Sequence, residues 1–429
     1  MITPEFLSEI VRSTEKAVSV LNQNLIKRIS ERVSAAFEKK QNLIMPSTIS
    51  EMMRIAQSGY SVEEVQSMIE NALPSIQNEV KDAFYVSANE ISKYNTEFTK
   101  QLVEYAKLDV EVPDYTVDGI PKSAKELNMT TREIRVLENA YKRTNGSIKN
   151  LTRTTAASAY QQYIDACDNA FMKAQSGMSL SEAISEACDE LASQGIKCVD
   201  FSGRTDTIET AVARAVRTGV NQANSEIILT RCAELGVSYV KVSQHLGARV
   251  TKRSDYTNHS WWQGKVYKLD WNKGVLNQYK VESPLYEPKY SFFGRIRKAL
   301  GRDDYNYPDF VETCGYGKIE GIIGINCRHT FQAWYPGINK NTEKPIDQKE
   351  NDKRYKNEQS QRAMERAMRK TRRRIEAQKS IEQTEEVKEK LANLKALLKK
   401  QGEKYADFCK ENNLQPDYQR TRIGVAKNV

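Results

Sequence analysis

Histidine and tryptophan are the scarce residues of this 429-residue chain, three of one and four of the other. All of them fall within positions 245–337: His245, His259, His329, Trp261, Trp262, Trp271 and Trp334. Long apolar runs are lacking too. No stretch approaches the ~18 consecutive apolar residues of a membrane-spanning helix, so no membrane segment is expected. The seven cysteines are odd in number and scattered over positions 167, 188, 198, 232, 314, 327 and 409, unlike a disulfide framework. Reduced thiols in a cytoplasm are the expectation. The start, Met1-Ile-Thr-Pro-Glu-Phe, has no basic region followed by an apolar core, so no secretion signal is expected. Internal repeats, a phosphate-cradling glycine loop, a nucleophile elbow and a paired-carboxylate motif are also missing, which leaves little material for catalysis.

Charge is present, and its location matters. Lysine and arginine number 65 against 56 acidic residues, a net +9. Residues 351–429 hold 21 of the basic and 12 of the acidic residues, leaving 44 against 44 in 1–350. The surplus therefore belongs to the C-terminal tail, which points to an anionic partner reached by an extension.

Helical periodicity dominates elsewhere. Thr3, Pro4 and the spacing of Leu7, Val11, Val18, Leu21, Leu25 and Ile29 predict one helix over 3–39. A short helix ending near Gly59 follows. Ser61 with Glu64 forms a capping box for a stretch that Pro74 restarts or kinks toward residue 107. Residues 108–122 read as a linker or strand pair. Thr130 and Glu133 open a helix that Asn145-Gly146 stops. Another spans about 153–176, and Ser179 with Glu182 opens the next, ending at Gly195. Residues 196–201 and 237–243 read as strands, the second alternating as a half-buried one. Between them a helix of about 206–235 carries Arg214, Arg217, Asn221 and Asn224 on a polar side that reads as a solvated face.

In the central segment, Cys327 and His329 stand two apart on a run that reads as a strand, so their side chains share a face. With His245 and His259 they make a candidate four-ligand structural zinc site, Cys314 being a competitor. The Cys-x-His spacing matches no zinc-finger pattern. Histidines hydrogen-bonded inside a packed, Trp-rich core are the plainer alternative. A third reading assembles the histidines with Arg249, Asp255 and Arg328 into a metal- or histidine-dependent nuclease acting on nucleic acid. The aromatic residues, Tyr267, Tyr286 and Tyr290 among them, suit a buried core better than base stacking. Residues 284–310 read as a surface loop with a short helix.

The tail reads as one long helix over 350–404. Arg362, Arg366, Arg369 and Arg373 form a stripe at i, i+4, i+7 and i+11, thickened by Lys370, Arg372 and Arg374. Such a stripe can follow a phosphate backbone without reading sequence, and the plainer reading is a solvated charged face. Val387, Leu391, Leu394 and Leu398 make a short coiled-coil-like seam for docking on the N-terminal helices or on a second subunit. Tyr405, Phe408 and Leu414 suggest a small anchoring helix after it.

Taken together, His245-Leu-Gly-Ala-Arg249, Trp262-Gln-Gly-Lys-Val-Tyr267 and Gly324-Ile-Asn-Cys327-Arg328-His329, followed by Trp334-Tyr-Pro-Gly337, resemble the minor capsid protein 2 family of tailed phages. That family is related to the Mu F-like head morphogenesis proteins. Arg217-Thr-Gly and Asn221 resemble the helix that leads into the F-like domain, and Tyr405-Ala-Asp-Phe408-Cys with Tyr418-Gln-Arg-Thr-Arg422 is similar to the family's tail. The likeness is strongest over about 203–337. It implies a non-enzymatic minor head protein of the virion that associates with the portal protein and capsid interior, assists head assembly and DNA packaging or ejection, and carries no catalytic residue. The basic tail would contact double-stranded DNA, and the helices allow self-association. The expected fold is α+β: a helical N-terminal region (1–122), a helical connector (123–202), a small mixed α/β F-like domain with short strands (203–340), and a basic helical tail (341–429).

Overall fold

The computed structural model describes residues 3–39, 42–43, 46, 48–59, 62–113, 119–280, 292–300 and 305–424. Ser61, the 114–118 part of the expected linker, and the 284–291 and 301–304 parts of the expected loop, with Tyr286 and Tyr290, lie outside the described residues. The fold is mainly helical α+β, with a few short antiparallel strands.

In chain order the elements are α1 (Pro4–Ile10), α2 (Arg12–Ala36), β1 (Glu38–Lys39), β2 (Asn42–Leu43), α3 (Ile49–Gly59), α4 (Val62–Tyr105), α5 (Thr131–Gln175) and α6 (Leu180–Gln194). Then come β3 (Lys197–Val199), β4 (Thr205–Thr207), α7 (Ile208–Leu235), β5 (Tyr239–Val242), α8 (His259–Trp262), β6 (Val266–Lys268), α9 (Phe292–Leu300), α10 (Phe310–Cys314), β7 (Phe331–Ala333), α11 (Gln348–Lys379) and α12 (Glu385–Glu411).

Several expected caps are made. The Thr3 hydroxyl accepts the Phe6 N–H, Ser179 accepts from Glu182, and Thr130 with Glu133 exchanges both bonds of a capping box. Gly195 and Gly236 close α6 and α7 at φ +73°, where glycine avoids the Cβ penalty.

Other expectations need correction. The first helix is two, with Val11 at a turn between them. α4 runs through Pro74 without restarting. α5 runs through Asn145-Gly146, because Gly146 keeps a right-handed backbone and glycine ends a helix only when the chain leaves that conformation. The tail is α11 and α12: Thr384 accepts the Val387 N–H and starts a new helix after a break at Ser380–Gln383. Tyr405 and Phe408 continue α12 and form no separate helix.

The described chain divides into two compact units, each built from three separated stretches. The first comprises residues 1–12, 80–145 and 214–356, the second 13–79, 146–213 and 357–429. In the second, α2 and α4 are tied by Glu64, which takes Arg28 Nε at 2.6 Å and Arg32 at 3.1 Å. α12 lies against α6; of the expected seam, Val387 and Leu394 are buried, and Leu398 packs on the Tyr405 cluster. Tyr405, Cys409, Met368 and Leu414 form a local apolar cluster beside it.

The first unit holds the three-stranded sheet, in the order β6-β5-β7 and antiparallel throughout. β5 pairs Val240 with Tyr267 on one side and with Ala333 on the other. All four β5 residues are buried, so the strand is covered on both faces and not half-buried as its alternation suggested. The odd member is Lys241, whose ammonium pairs with Glu343 at 2.8 Å.

Candidate functional site

The sheet topology creates the site. β5 is antiparallel to both neighbours, so the end of β5 lies beside the beginnings of β6 and β7. The chain leaving β5 carries His245, the chain entering β6 carries His259 and Gln263, and the chain entering β7 carries Cys327 and His329. Three segments far apart in sequence thus meet at one sheet end. Val242 N–H to Lys265 O at 3.0 Å and Ser243 N–H to Thr330 O at 2.9 Å hold them together.

Cys327 and His329 are not on a strand. They lie on irregular backbone ahead of β7, where the chain is held by a tight loop. Ile323 and Asn326 adopt φ of +61° and +58°, an unusual conformation for a β-branched residue. Gly324 is needed there, since a Cβ would sit 2.2 Å from the Ile319 carbonyl oxygen. The shared face read from strand alternation is reached by another route: Asn221 on α7 donates to the carbonyl oxygens of Cys327 (3.3 Å) and His329 (3.1 Å).

His259, Cys327 and His329 form the one group, among the described residues, of three or more potential ligands whose donor atoms lie within 4.8 Å of one another. All three are buried. The thiol sulphur is 3.8 Å from His259 Nδ1 and 3.7 Å from His329 Nδ1. His245 and Cys314 are outside this set. The His245 ring lies beside that of His329, centroids 4.4 Å apart, with its Nδ1 3.2 Å from the Leu246 carbonyl oxygen. Trp262, also buried, packs its ring 4.6 Å from His259 and 4.7 Å from His329.

Outer partners fix the tautomer of each imidazole. His259 Nε2 is 2.8 Å from the Glu320 carbonyl oxygen, which can only accept, so the proton is on Nε2. His329 Nε2 is 3.2 Å from Gln263 Oε1. The Gln263 amide is itself oriented by the His245 backbone N–H, which reaches Oε1 at 3.0 Å and can only donate. His329 therefore also carries its proton on Nε2. Burial pushes His259 down to about 4 and His329 well below the usual histidine range. Burial also raises the Cys327 thiol to about 11, against backbone N–H groups of His329 and Ile323 that favour the thiolate. These shifts disfavour charge on the cluster when no cation is bound, and both Nδ1 atoms face the one sulphur.

The His245–Arg249 motif is pinned by Asn351 at the start of α11. Its side-chain oxygen accepts the N–H groups of Gly247 (3.0 Å) and Ala248 (2.9 Å), and its amide donates to Ala248 O (3.2 Å). Arg249 donates to the Ile325 carbonyl oxygen at 3.2 Å, binding the motif to the 319–327 loop. Asn221 was expected on a solvated face, Gln263 stood in a motif with no role of its own, and Asn351 carried no signal. The polar side of α7 is not a solvated face: Asn221 and Asn224 are buried, and Asn224 accepts from the Ser87 hydroxyl at 2.8 Å. Asparagines recurring at i and i+3 on α7 were the available signal.

The basic stripe divides by location. Arg373 is buried, donating to the Ala192 carbonyl oxygen at 3.0 Å and pairing with Glu209 at 3.4 Å. Arg374 makes a two-pronged pair with Asp189 at 2.8 and 2.7 Å. Arg369 donates to the Arg420 carbonyl oxygen, Arg362 pairs with Glu358 at 3.3 Å, and Arg372 is half-buried. Arg366 and Lys370 are exposed.

The fold and site define a mainly helical α+β protein in which His259, His329, Trp262 and Trp334 are buried at a small antiparallel sheet, with further basic groups exposed on the tail. The chain belongs to the phage minor capsid protein 2 family, whose profile it matches over residues 2–404. No match was found among curated proteins or among solved structures. Among the described residues, no helix is long and apolar enough to cross a membrane.

Proposed function

We propose that this chain is a minor head protein of the virion that docks at the portal vertex and capsid interior and assists head assembly and DNA packaging or ejection. It works by binding and not by chemistry. The observation that carries this reading is the family match across residues 2–404, nearly the whole chain. The burial of the Cys–His–His cluster supports it, since general acid–base work on a bulky polymer needs groups that can reach it. Non-specific contact with double-stranded DNA is assigned to the tail, where the charge surplus lies, through the exposed Arg366 and Lys370. Arg373 and Arg374 hold α11 to α6 instead.

The test is co-expression with the portal and capsid proteins of the same phage. Tagged chain that co-purifies with the portal protein and enters procapsids supports the reading; chain that never does so removes it. Incubation with plasmid DNA and Mg²⁺, Mn²⁺ or Zn²⁺ tests the rival nuclease. Cleavage abolished by His329→Ala but retained by Arg366→Ala would replace binding with catalysis.

A further inference from the structure

We propose that His259 Nδ1, Cys327 Sγ and His329 Nδ1 are three ligands of a zinc-class divalent metal ion that fastens the chain entering β6 to the chain entering β7 at the end of the sheet. Valence and distance at the three atoms carry this assignment, independently of the capsid reading.

Both imidazoles carry their proton on Nε2, held there by Glu320 O and by Gln263 Oε1. Both Nδ1 atoms are therefore acceptors, and both are aimed at the same sulphur. A thiol has one proton and can satisfy one of them. In a buried, aromatic-walled pocket the second lone pair would go unpaired, at a cost comparable to a lost hydrogen bond. A cation between the three atoms removes the conflict. The thiol releases its proton to solvent, the thiolate and both nitrogens donate electron pairs to the metal, and no oxidation change is involved.

The distances suit it. Metal–sulphur bonds of ~2.3 Å and metal–nitrogen bonds of ~2.0–2.1 Å at a tetrahedral angle place sulphur and nitrogen about 3.6 Å apart. The observed separations are 3.7 and 3.8 Å. The outer contacts are of the kind metal sites use: each ligating imidazole donates its other N–H to an oxygen, and backbone N–H groups of His329 and Ile323 face the sulphur. A mixed sulphur and nitrogen donor set favours zinc over magnesium or calcium, which take oxygen. The fourth position is outside the three, and His245, stacked on His329, is the nearest further imidazole.

The test uses the full chain, expressed with zinc in the medium and purified without chelators. Elemental analysis is expected to find about one zinc per chain. X-ray absorption at the zinc edge should give a first shell containing one sulphur and at least two nitrogens, which needs no variant. Replacing the metal with Co²⁺ should produce a thiolate-to-cobalt charge-transfer band and strong visible bands of a four-coordinate ion. Cys327→Ala should lose these bands, while Cys314→Ala, also buried but outside the set, should keep them. Chain that is folded by circular dichroism yet holds only trace metal and gives no cobalt bands overturns the proposal, as does a zinc shell without sulphur. Portal association can fail while zinc is found, or the reverse, so the two readings fall separately.

Discussion

Glu234, near the end of α7, sits in a nest of charge. Its carboxyl is buried and accepts from the Thr130 hydroxyl at 3.1 Å. The neighbouring Arg231 is committed to Glu133, with bonds of 2.9 and 2.6 Å. Burial first, and the Glu133 carboxylate second, raise Glu234 to about 7, with Arg231 and Arg132 opposing, and Arg297 also faces it. The folded state thus binds this proton more tightly than the unfolded chain. Its contribution is greatest below the unfolded value and is lost as pH rises from about 4.5 to about 7, levelling off above that. Denaturant unfolding of wild type relative to Glu234→Gln should show that loss, roughly 3 kcal/mol across the window. A constant difference from pH 5 to 8 would mean Glu234 is ionised throughout. Single residues also mark where sequence reading stopped. His259, Cys327 and His329 stood out by rarity, whereas Gln263 and Asn221 are common residues whose importance comes from the carbonyls and imidazole they meet.

Close approach decides how the elements pack. Gly219 on α7 faces Thr144 on α5, and a Cβ there would fall 2.0 Å from the threonine hydroxyl. Gly219→Ala is expected to destabilise by about 1–3 kcal/mol in chemical unfolding. Adding Thr144→Ala should recover part of it, because the hydroxyl is the nearest obstacle; no recovery would place the clash elsewhere. Gly324→Ala meets a backbone oxygen that cannot rotate away, so its midpoint should fall further than that of Gly219→Ala. The tail offers a third contrast. Arg374→Ala breaks a half-buried two-pronged pair with Asp189 and should lower the thermal midpoint by several degrees. Arg366→Ala with Lys370→Ala should leave the midpoint unchanged and reduce the salt dependence of DNA binding by a log–log slope of about two. Equal effects of both changes on DNA binding would mean that the buried pair also reaches the polymer.

At the scale of the molecule, each compact unit is assembled from three separated stretches. The tail supplies the last stretch of the second unit, where Gln378 bonds Ser185 at 2.7 Å and Gly424 N–H donates to Ser19 Oγ at 2.9 Å. Deleting residues 357–429 should therefore unfold the remainder of that unit, read as lost helix by circular dichroism and rapid proteolysis of 146–213. A truncated chain that keeps wild-type protection there would show the tail to be an independent arm. The divisions all fall inside helices, at α2, α4, α5, α7 and α11; the one in α5 coincides with Asn145-Gly146 and the one in α11 lies near the start of the basic surplus, whereas those in α2, α4 and α7 carry no mark in the sequence.

Local chemistry is what the sequence by itself determined: the helix starts at Thr3, Thr130 and Ser179, the α+β class, the family motifs, and the segment holding the rare side chains. These depend on neighbours a few residues apart, which the chain order already supplies. Only the tertiary structure decided that Asn145-Gly146 continues a helix, that β5 is covered on both faces, that Arg373 points inward while Arg366 points out, and that His259 and His329 turn their lone pairs on one thiol. The cover of β5, the burial of Arg373 and the meeting of His259 with Cys327 depend on partners dozens of residues away, where burial and the matching of donors to acceptors outweigh local preference.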